Sequence, residues 1–420
     1  MQEYDYRDNA LLVEETRLEE LAERFGTPLY VYSKRSIIDH CRNIEQAFGD
    51  CEHLSCYALK ANGNRALLKI IAGEGLGADV GSVGELHLAL SAGFPPGRIT
   101  FSGVGKRDDE IEYALLHDIL AFNAESTEEI DVLNRIASRL GKTARLLLRV
   151  NLNIDAGGHA YVSTSLKQNK FGIAHDRAMG VLQWAQTLPH VEVRGVHSHI
   201  GSQIIKADTF AAAARALAAM VQQLRTAGVS VSDLDFGGGF GVQYKGYVKH
   251  SDLPFERPEE INLSAATLVR AVVPLLKDLD CRISIQPGRS IVAHAGVLLT
   301  KVLYRKSGDG KIFIVVDAGM NDLIRPSLYN AHHQIVPLCL KGAAHESVDV
   351  VGPLCESGDF LALNRMLPRV QRGDYLAVMC AGAYGFGLAS NYIARPRPAE
   401  VLVDGTDARI IRNRESIGDL

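Results

Sequence analysis

Leu54-Ser-Cys-Tyr-Ala-Leu-Lys60-Ala-Asn62 is a short apolar run that closes on a cation, and it sets the pattern for most of the chain. A cationic side chain at the end of a strand-like segment points out of the sheet edge, where a pocket can desolvate it. Desolvation favours the neutral amine, which can attack a carbonyl to form a Schiff base. A lone lysine at a strand end is ordinarily just a snorkelling side chain. Here the context argues otherwise, because run after run ends in the same manner.

Eight such runs can be read along the chain: Leu54–Lys60, Gly77–Ser82, Ile99–Gly103, Ile119–Glu125, Arg145–Asn151, Val193–Gly201, Leu234–Gly239 and Arg282–Gly288. Segments of helical periodicity lie between them, including Arg65–Ala72, Val83–Leu90 and an alanine-rich stretch from Thr209 to Leu224. Eight strands alternating with helices over about 250 residues predict an α/β protein with a (β/α)8 TIM-type barrel. A doubly wound open sheet shares the alternation and is the main competitor. After residue 290 the rhythm changes. Val297–Tyr304, Ile312–Asp317, Val348–Val351, Tyr375–Met379, Glu400–Val403 and Ala408–Ile411 read as strands joined by turns. They predict a separate, mainly antiparallel β domain of barrel or sandwich type. The expected division is a barrel over 34–294 and a β domain made from 1–33 with 295–420.

A chain of 420 residues is long for one domain, which agrees with that division. With 47% hydrophobic and 22% charged residues and a net charge of −4, nothing points to nucleic acid or an anionic membrane as partner. The seven cysteines (41, 51, 56, 281, 339, 355 and 380) are odd in number and show no CxxC spacing. That reads as reduced thiols in a cytoplasmic protein. The polar N-terminus is unlike a signal peptide, and no apolar run reaches membrane-spanning length.

Catalytic groups of such barrels sit at the C-terminal ends of the strands. There the chain offers Lys60, Asp79 with Ser82, Ser102 to Lys106, Asn123 to Ser126, and Arg149 with Asn151. It goes on with His197-Ser-His199-Ile-Gly-Ser202, Asp235-Phe-Gly237-Gly238-Gly239 and Gln286-Pro-Gly288-Arg289-Ser290. Three consecutive glycines let backbone N–H groups converge on an anion, and Pro-Gly-Arg adds a guanidinium fork. Loops after strands seven and eight are where such barrels bind phosphate. His197 and His199 share a face, as a metal pair would, but no acidic or cysteine cluster completes a ligand set, so no metal is expected. An imidazole facing the barrel mouth can instead stack on an aromatic cofactor. His332-His333 reads as ordinary loop.

Tyr57-Ala-Leu-Lys-Ala-Asn, His199-Ile-Gly-Ser-Gln, Gly237-Gly-Gly-Phe-Gly and Pro287-Gly-Arg-Ser resemble the pyridoxal-phosphate decarboxylases of the alanine-racemase fold. Further stretches narrow the resemblance to the diaminopimelate decarboxylases. These are Ser163–Ile173, Asp317–Tyr329, Cys355-Glu-Ser-Gly-Asp, Ala381-Gly-Ala-Tyr384-Gly, and Asn391-Tyr with Arg395–Glu400. The resemblance covers nearly the whole chain. It implies pyridoxal 5'-phosphate held covalently by Lys60, with His199 stacked on its ring and Asp79, Gln286 and Tyr384 among its contacts. Ser202, Gly237, Gly238, Gly239, Gly288 and Arg289 would hold the phosphate. Arg289, Arg325, Tyr329 and Tyr384 would meet the substrate, the first three taking its distal carboxylate, and Glu356 would pair with the distal ammonium. Cys355 would return a proton to the decarboxylated carbon, a thiol being acidic enough to donate near neutrality. Cys355 and Glu356 would enter the site from a partner subunit, which implies a homodimer with shared active sites. The substrate would be meso-diaminopimelate and the product L-lysine.

Two other readings share these residues. A decarboxylase of ornithine or arginine would need no anchor for a distal carboxylate, which sets Arg325 and Tyr329 against it. A regulatory homologue without cofactor would not need Lys60, His199, the glycines or Cys355. One position departs from the family pattern, Gln286, where relatives read Glu-Pro-Gly-Arg. A glutamate there bonds the cofactor's pyridine nitrogen and favours its protonated form; a neutral amide cannot do so in the same way. The departure predicts a slow decarboxylase, or one in which another group keeps the ring protonated, and a gain in turnover for Gln286→Glu.

Overall fold

The computed structural model describes residues 3–154, 170–258, 264–342 and 344–420. Part of one quoted motif, 163–169, lies outside the described residues. The chain divides into two compact units, one of 40–241 with 261–290, the other of 1–39, 242–260 and 291–420.

The first unit is the barrel. Among the described residues its strands are β1 (His53–Ala58), β2 (Gly77–Val80), β3 (Ile99–Phe101), β4 (Ala121–Ala124), β5 (Ala144–Asn151), β6 (Val191–His197), β7 (Asp233–Asp235) and β8 (Arg282–Ile285). Each pairs in parallel with the next, and β8 returns to β1 with Ile283 opposite His53, closing the ring. Closure decides for the barrel over the open sheet. Strands β2, β3, β4 and β7 are buried at every residue, as expected of parallel strands covered by helices. The helices between them carry their own start and stop signals. Ser82 and Ser126 accept the backbone N–H of Glu85 and Glu129, while Gly93 and Gly141 end the same two helices in the left-handed conformation.

The strands stop earlier than the sequence suggests. β1 ends at Ala58 and Lys60 sits on a 3-10 turn, Leu59–Ala61; β6 ends at His197, β7 at Asp235 and β8 at Ile285. One residue further the ladder still holds, with the Ser198 N–H on the Asp235 carbonyl and the Phe236 N–H on that of Ser284; beyond it the bonds go to loops. The Gly237 N–H goes to Asp235 Oδ1 and the Gln286 N–H to the Gly237 carbonyl. Gly237 and Gly239 take φ of +71° and +98°, which no strand accommodates.

The second unit carries a three-stranded sheet near the N-terminus and a larger sheet after residue 290, to which Leu29–Ser33 also belongs. Its longest strand, Gly296–Gly308, bends at a bulge between Val302 and Tyr304. One half pairs with Lys311–Val316 and the other with Leu29–Ser33 and Tyr375–Val378. The sheet is mostly antiparallel but mixed. Lys311–Val316 runs parallel to His345–Val351, and Leu29–Ser33 parallel to Ala399–Asp404. Residues 242–258, expected with the barrel, are tied to this unit by two amide bonds between Val248 and Gln334 and by Glu256 against Arg365. No helix among the described residues is long and apolar enough to cross a membrane, and all seven cysteines are free.

Candidate active site

Lys60 leaves the barrel wall on its 3-10 turn and is exposed at the rim. Beside it on β2, Asp79 is buried and accepts the hydroxyls of Thr100 (3.1 Å) and Ser102 (2.5 Å). Burial pushes the Asp79 carboxyl up, against the opposing influence of the Lys60 charge and those hydroxyls.

The loops after β6, β7 and β8 meet at the three glycines. A Cβ on Gly237 would lie 2.5 Å from the Ser198 carbonyl oxygen, on Gly238 2.2 Å from that of Gln286, and on Gly239 2.3 Å from that of Gly201. These glycines are therefore required by loop-to-loop packing as well as by access for an anion. Arg289 extends a guanidinium N–H to the Ser202 hydroxyl at 2.9 Å, and Gly288 fits against the methyls of Ala58 and Ala61. The Gly238 N–H donates to His199 Nδ1 at 3.1 Å, which fixes that nitrogen as an acceptor. Burial holds the His199 imidazole well below the usual range, helped by the Lys60 and Arg149 charges, so the ring is neutral at pH 7.

Under this junction two residues already noted at the rim, Asp235 and Gln286, meet in a contact that no local pattern encodes. Asp235, fully buried on β7, accepts the Gly237 N–H with Oδ1 and the Gln286 amide with Oδ2, each at 2.8 Å. Burial pushes its carboxyl up to about 7.

Other charged rim groups look inward. Lys106 donates to the Gly103 and Asn123 carbonyls (2.8 Å each) and to Glu129 (2.7 Å). Arg149 and Glu125 form a buried ion pair at 2.6 Å, and the other Glu125 oxygen takes the Gly172 N–H. His197 is buried, and neither ring nitrogen has a hydrogen-bond partner among the described residues; burial and the Arg149 charge hold it well below the usual histidine range.

In the second unit, Arg325 opens the short helix Arg325–Tyr329, which puts Tyr329 one turn further on the same face. Arg325 donates to His333 Nε2 at 2.8 Å and stands 4.8 Å from the Tyr244 ring centroid. His333 Nδ1 bonds the Met379 carbonyl, so the histidine is neutral and pinned at both nitrogens. His333 is thus a buried support for Arg325, not ordinary loop. Cys355 is exposed on the turn between His345–Val351 and Phe360–Pro368. Asp359 ties that turn by accepting the backbone N–H groups of Met320 and Leu354, both at 2.6 Å. Glu356 accepts the Tyr392 hydroxyl at 2.8 Å. Tyr384 holds φ of +56°, an uncommon and costly conformation for an aromatic residue.

Residues 34–293 match the family described as pyridoxal-dependent decarboxylase, pyridoxal binding domain. The diaminopimelate decarboxylase of Aquifex aeolicus is 45% identical over 412 residues, 98% of this chain and 95% of that protein. That of Pseudomonas aeruginosa is 46% identical over 420 residues, 100% of this chain and 98% of that protein. Among solved structures, diaminopimelate decarboxylase from M. jannaschii in co-complex with L-lysine superposes with a TM-score of 0.90. It is 36% identical, and the match covers 99% of this chain and 96% of that one.

Proposed function

The chain belongs to the pyridoxal-dependent decarboxylases, in the diaminopimelate decarboxylase family, and from that premise we propose that it converts meso-2,6-diaminopimelate to L-lysine and CO2. The observation that carries the reading is the loop junction at the rim. Three glycines that admit no Cβ, an arginine on a serine hydroxyl and a neutral histidine belong to loops that pack together, and the Lys60 charge acts on that histidine. Those groups fit pyridoxal phosphate.

Bound there, the cofactor would supply an electron sink for the pair that a departing carboxylate leaves behind. Lys60 would hold it covalently through its amine. Gly237, Gly238, Gly239, Gly288, Ser202 and Arg289 grip the phosphate, leaving the ring to His199, whose orientation the Gly238 N–H sets. Asp79, Gln286 and Tyr384 complete the cofactor contacts. Arg325, pinned by His333, takes the distal carboxylate with Tyr329 and Arg289, the fork geometry suiting a planar anion. Glu356 takes the distal ammonium. Cys355, presented on the turn that Asp359 braces, delivers a proton to the carbon that lost CO2. Cys355 and Glu356 come from a second copy of the chain, so the working form is a homodimer.

The direct test is CO2 release and L-lysine formation from meso-diaminopimelate by the purified protein with pyridoxal phosphate. Faster turnover of ornithine, arginine or lysine would overturn the substrate assignment, and failure to take up the cofactor would favour a regulatory homologue. The dimer has its own test. Mixing Lys60→Ala with Cys355→Ala subunits should restore part of the activity, since one site in each heterodimer is intact. No recovery despite demonstrated subunit exchange would argue against a shared site.

A further inference from the structure

Gln286 raises a question of polarity. A side-chain amide offers a carbonyl at one end and an NH2 at the other, and which end faces a ligand depends on what binds the opposite end. In this barrel the other end is spoken for. Asp235 lies on the neighbouring strand, fully buried, and an ionised carboxylate accepts hydrogen bonds but donates none. Its Oδ1 is taken by the Gly237 backbone N–H and its Oδ2 by Gln286 Nε2, each at 2.8 Å. The Gln286 side chain is itself 94% buried by its 6% exposure, so its amide has little freedom to turn without breaking the bond.

We propose that Asp235 is a positioning residue that locks Gln286 with its carbonyl toward the cofactor, so that this neutral side chain accepts a hydrogen bond from a protonated pyridine nitrogen. The proposal rests on pyridoxal phosphate being the cofactor, as the family match gives. An amide held the other way would donate to the ring nitrogen and favour its unprotonated form. The carboxylate behind the amide also polarises it, which strengthens the carbonyl as an acceptor. Gln286 and Asp235 thus share the role that a single carboxylate has in the family pattern.

Replacing the carboxylate by an amide should invert this arrangement. An asparagine at 235 has one acceptor oxygen where Asp235 has two. The Gly237 N–H is fixed in the backbone and claims that oxygen, which leaves the NH2 facing Gln286. The Gln286 amide must then turn its carbonyl toward residue 235 and its NH2 toward the ring.

The test uses the holoenzyme reconstituted with pyridoxal phosphate labelled with 15N in the ring, read by NMR at about pH 8.5, where Asp235 is ionised. The parent should show the protonated pyridinium resonance. Asp235→Asn should shift it to the unprotonated position while keeping bound cofactor and its melting transition. Adding Gln286→Glu to Asp235→Asn should restore the pyridinium resonance, because the new carboxylate accepts from both sides. Should Asp235→Asn fail to fold, Gln286→Met supplies the same reading: it keeps the side chain's length, removes the acceptor, and should lose the ring proton. An unprotonated ring in the parent, or a pyridinium signal unchanged in Asp235→Asn or Gln286→Met, would overturn the proposal. A protein that takes up no cofactor would overturn it together with the reading of function.

Discussion

On the side of the barrel built by β3, β4 and β5, the rim charges answer one another. Lys106 meets two carbonyls and Glu129, and Arg149 meets Glu125, whose second oxygen holds the Gly172 N–H. On the side built by β6, β7, β8 and β1, the contacts are of another kind. Lys60 is exposed, Arg289 reaches a serine hydroxyl, and His199 takes its bond from a glycine backbone. The partners differ in kind: carboxylates and carbonyls for Lys106 and Arg149, a serine hydroxyl for Arg289 and a glycine N–H for His199, so a loaded rim position is read through its contacts rather than its residue type. The first side braces the wall, and the second is the one proposed to meet the cofactor.

The strongest way to break that contrast is at Lys60. An exposed rim lysine contributes little packing, so Lys60→Ala should leave the melting transition nearly unchanged. It should also remove the covalent hold on the cofactor and lower turnover by several orders of magnitude. Borohydride reduction followed by peptide mapping should place the pyridoxyl label on Lys60. Label on Lys106 would reverse the assignment of the two sides.

A second test carries the contrast into the other unit, where Arg325 is buried yet proposed to bind substrate. Arg325→Ala should lower kcat/KM for diaminopimelate roughly ten- to a hundred-fold, since losing a charged hydrogen-bond partner costs about 1.5–3 kcal/mol. His333→Leu removes the acceptor that pins the guanidinium and should raise KM by a smaller factor with kcat nearly unchanged. His333→Gln, which still offers an acceptor, should recover part of that loss. Equal losses in kcat for both His333 variants, with intact melting, would mean the histidine serves something other than positioning.

How much of this was legible in the sequence follows from the kind of contact involved. The barrel was legible because each strand is a local apolar run and each rim motif is contiguous, from Lys60 through Gln286–Arg289. The strand ends were overrun because Gly201, Gly237 and Gly239 extend an apolar pattern while their positive φ takes them off the ladder. In the second unit, Phe360–Pro368 was missed because its burial does not alternate cleanly: two buried residues are followed by four exposed or half-exposed ones. The parallel pairings there join segments far apart in the chain, and no local signal encodes them. The roles of Asp235 and His333 escaped for a related reason. Each acts through one partner, Gln286 and Arg325, and an isolated acid or histidine shows nothing of that partner.

The smallest expected effect on turnover is at Lys106, and it sharpens the comparison most. Its side chain is 1% accessible, and the Glu129 it meets is 10% accessible. Removing one member of a buried pair leaves the other uncompensated, at a cost of about 3–5 kcal/mol. Lys106→Met should therefore lower Tm clearly while leaving kcat/KM unchanged at temperatures where the variant is folded. The loss should depend on pH in a stated direction. Burial already raises the Glu129 carboxyl, against the pull of the Lys106 charge, and without the ammonium it rises further. A folded state that binds this proton more tightly than the unfolded state is favoured at low pH, and loses that advantage as pH rises through the folded value. The Tm deficit of the variant should then be small near pH 5 and larger near pH 8. A flat deficit would mean Glu129 finds another donor. A loss of turnover matching that of Lys60→Ala, with cofactor still bound, would put Lys106 in the chemistry and erase the distinction between the two sides of the rim.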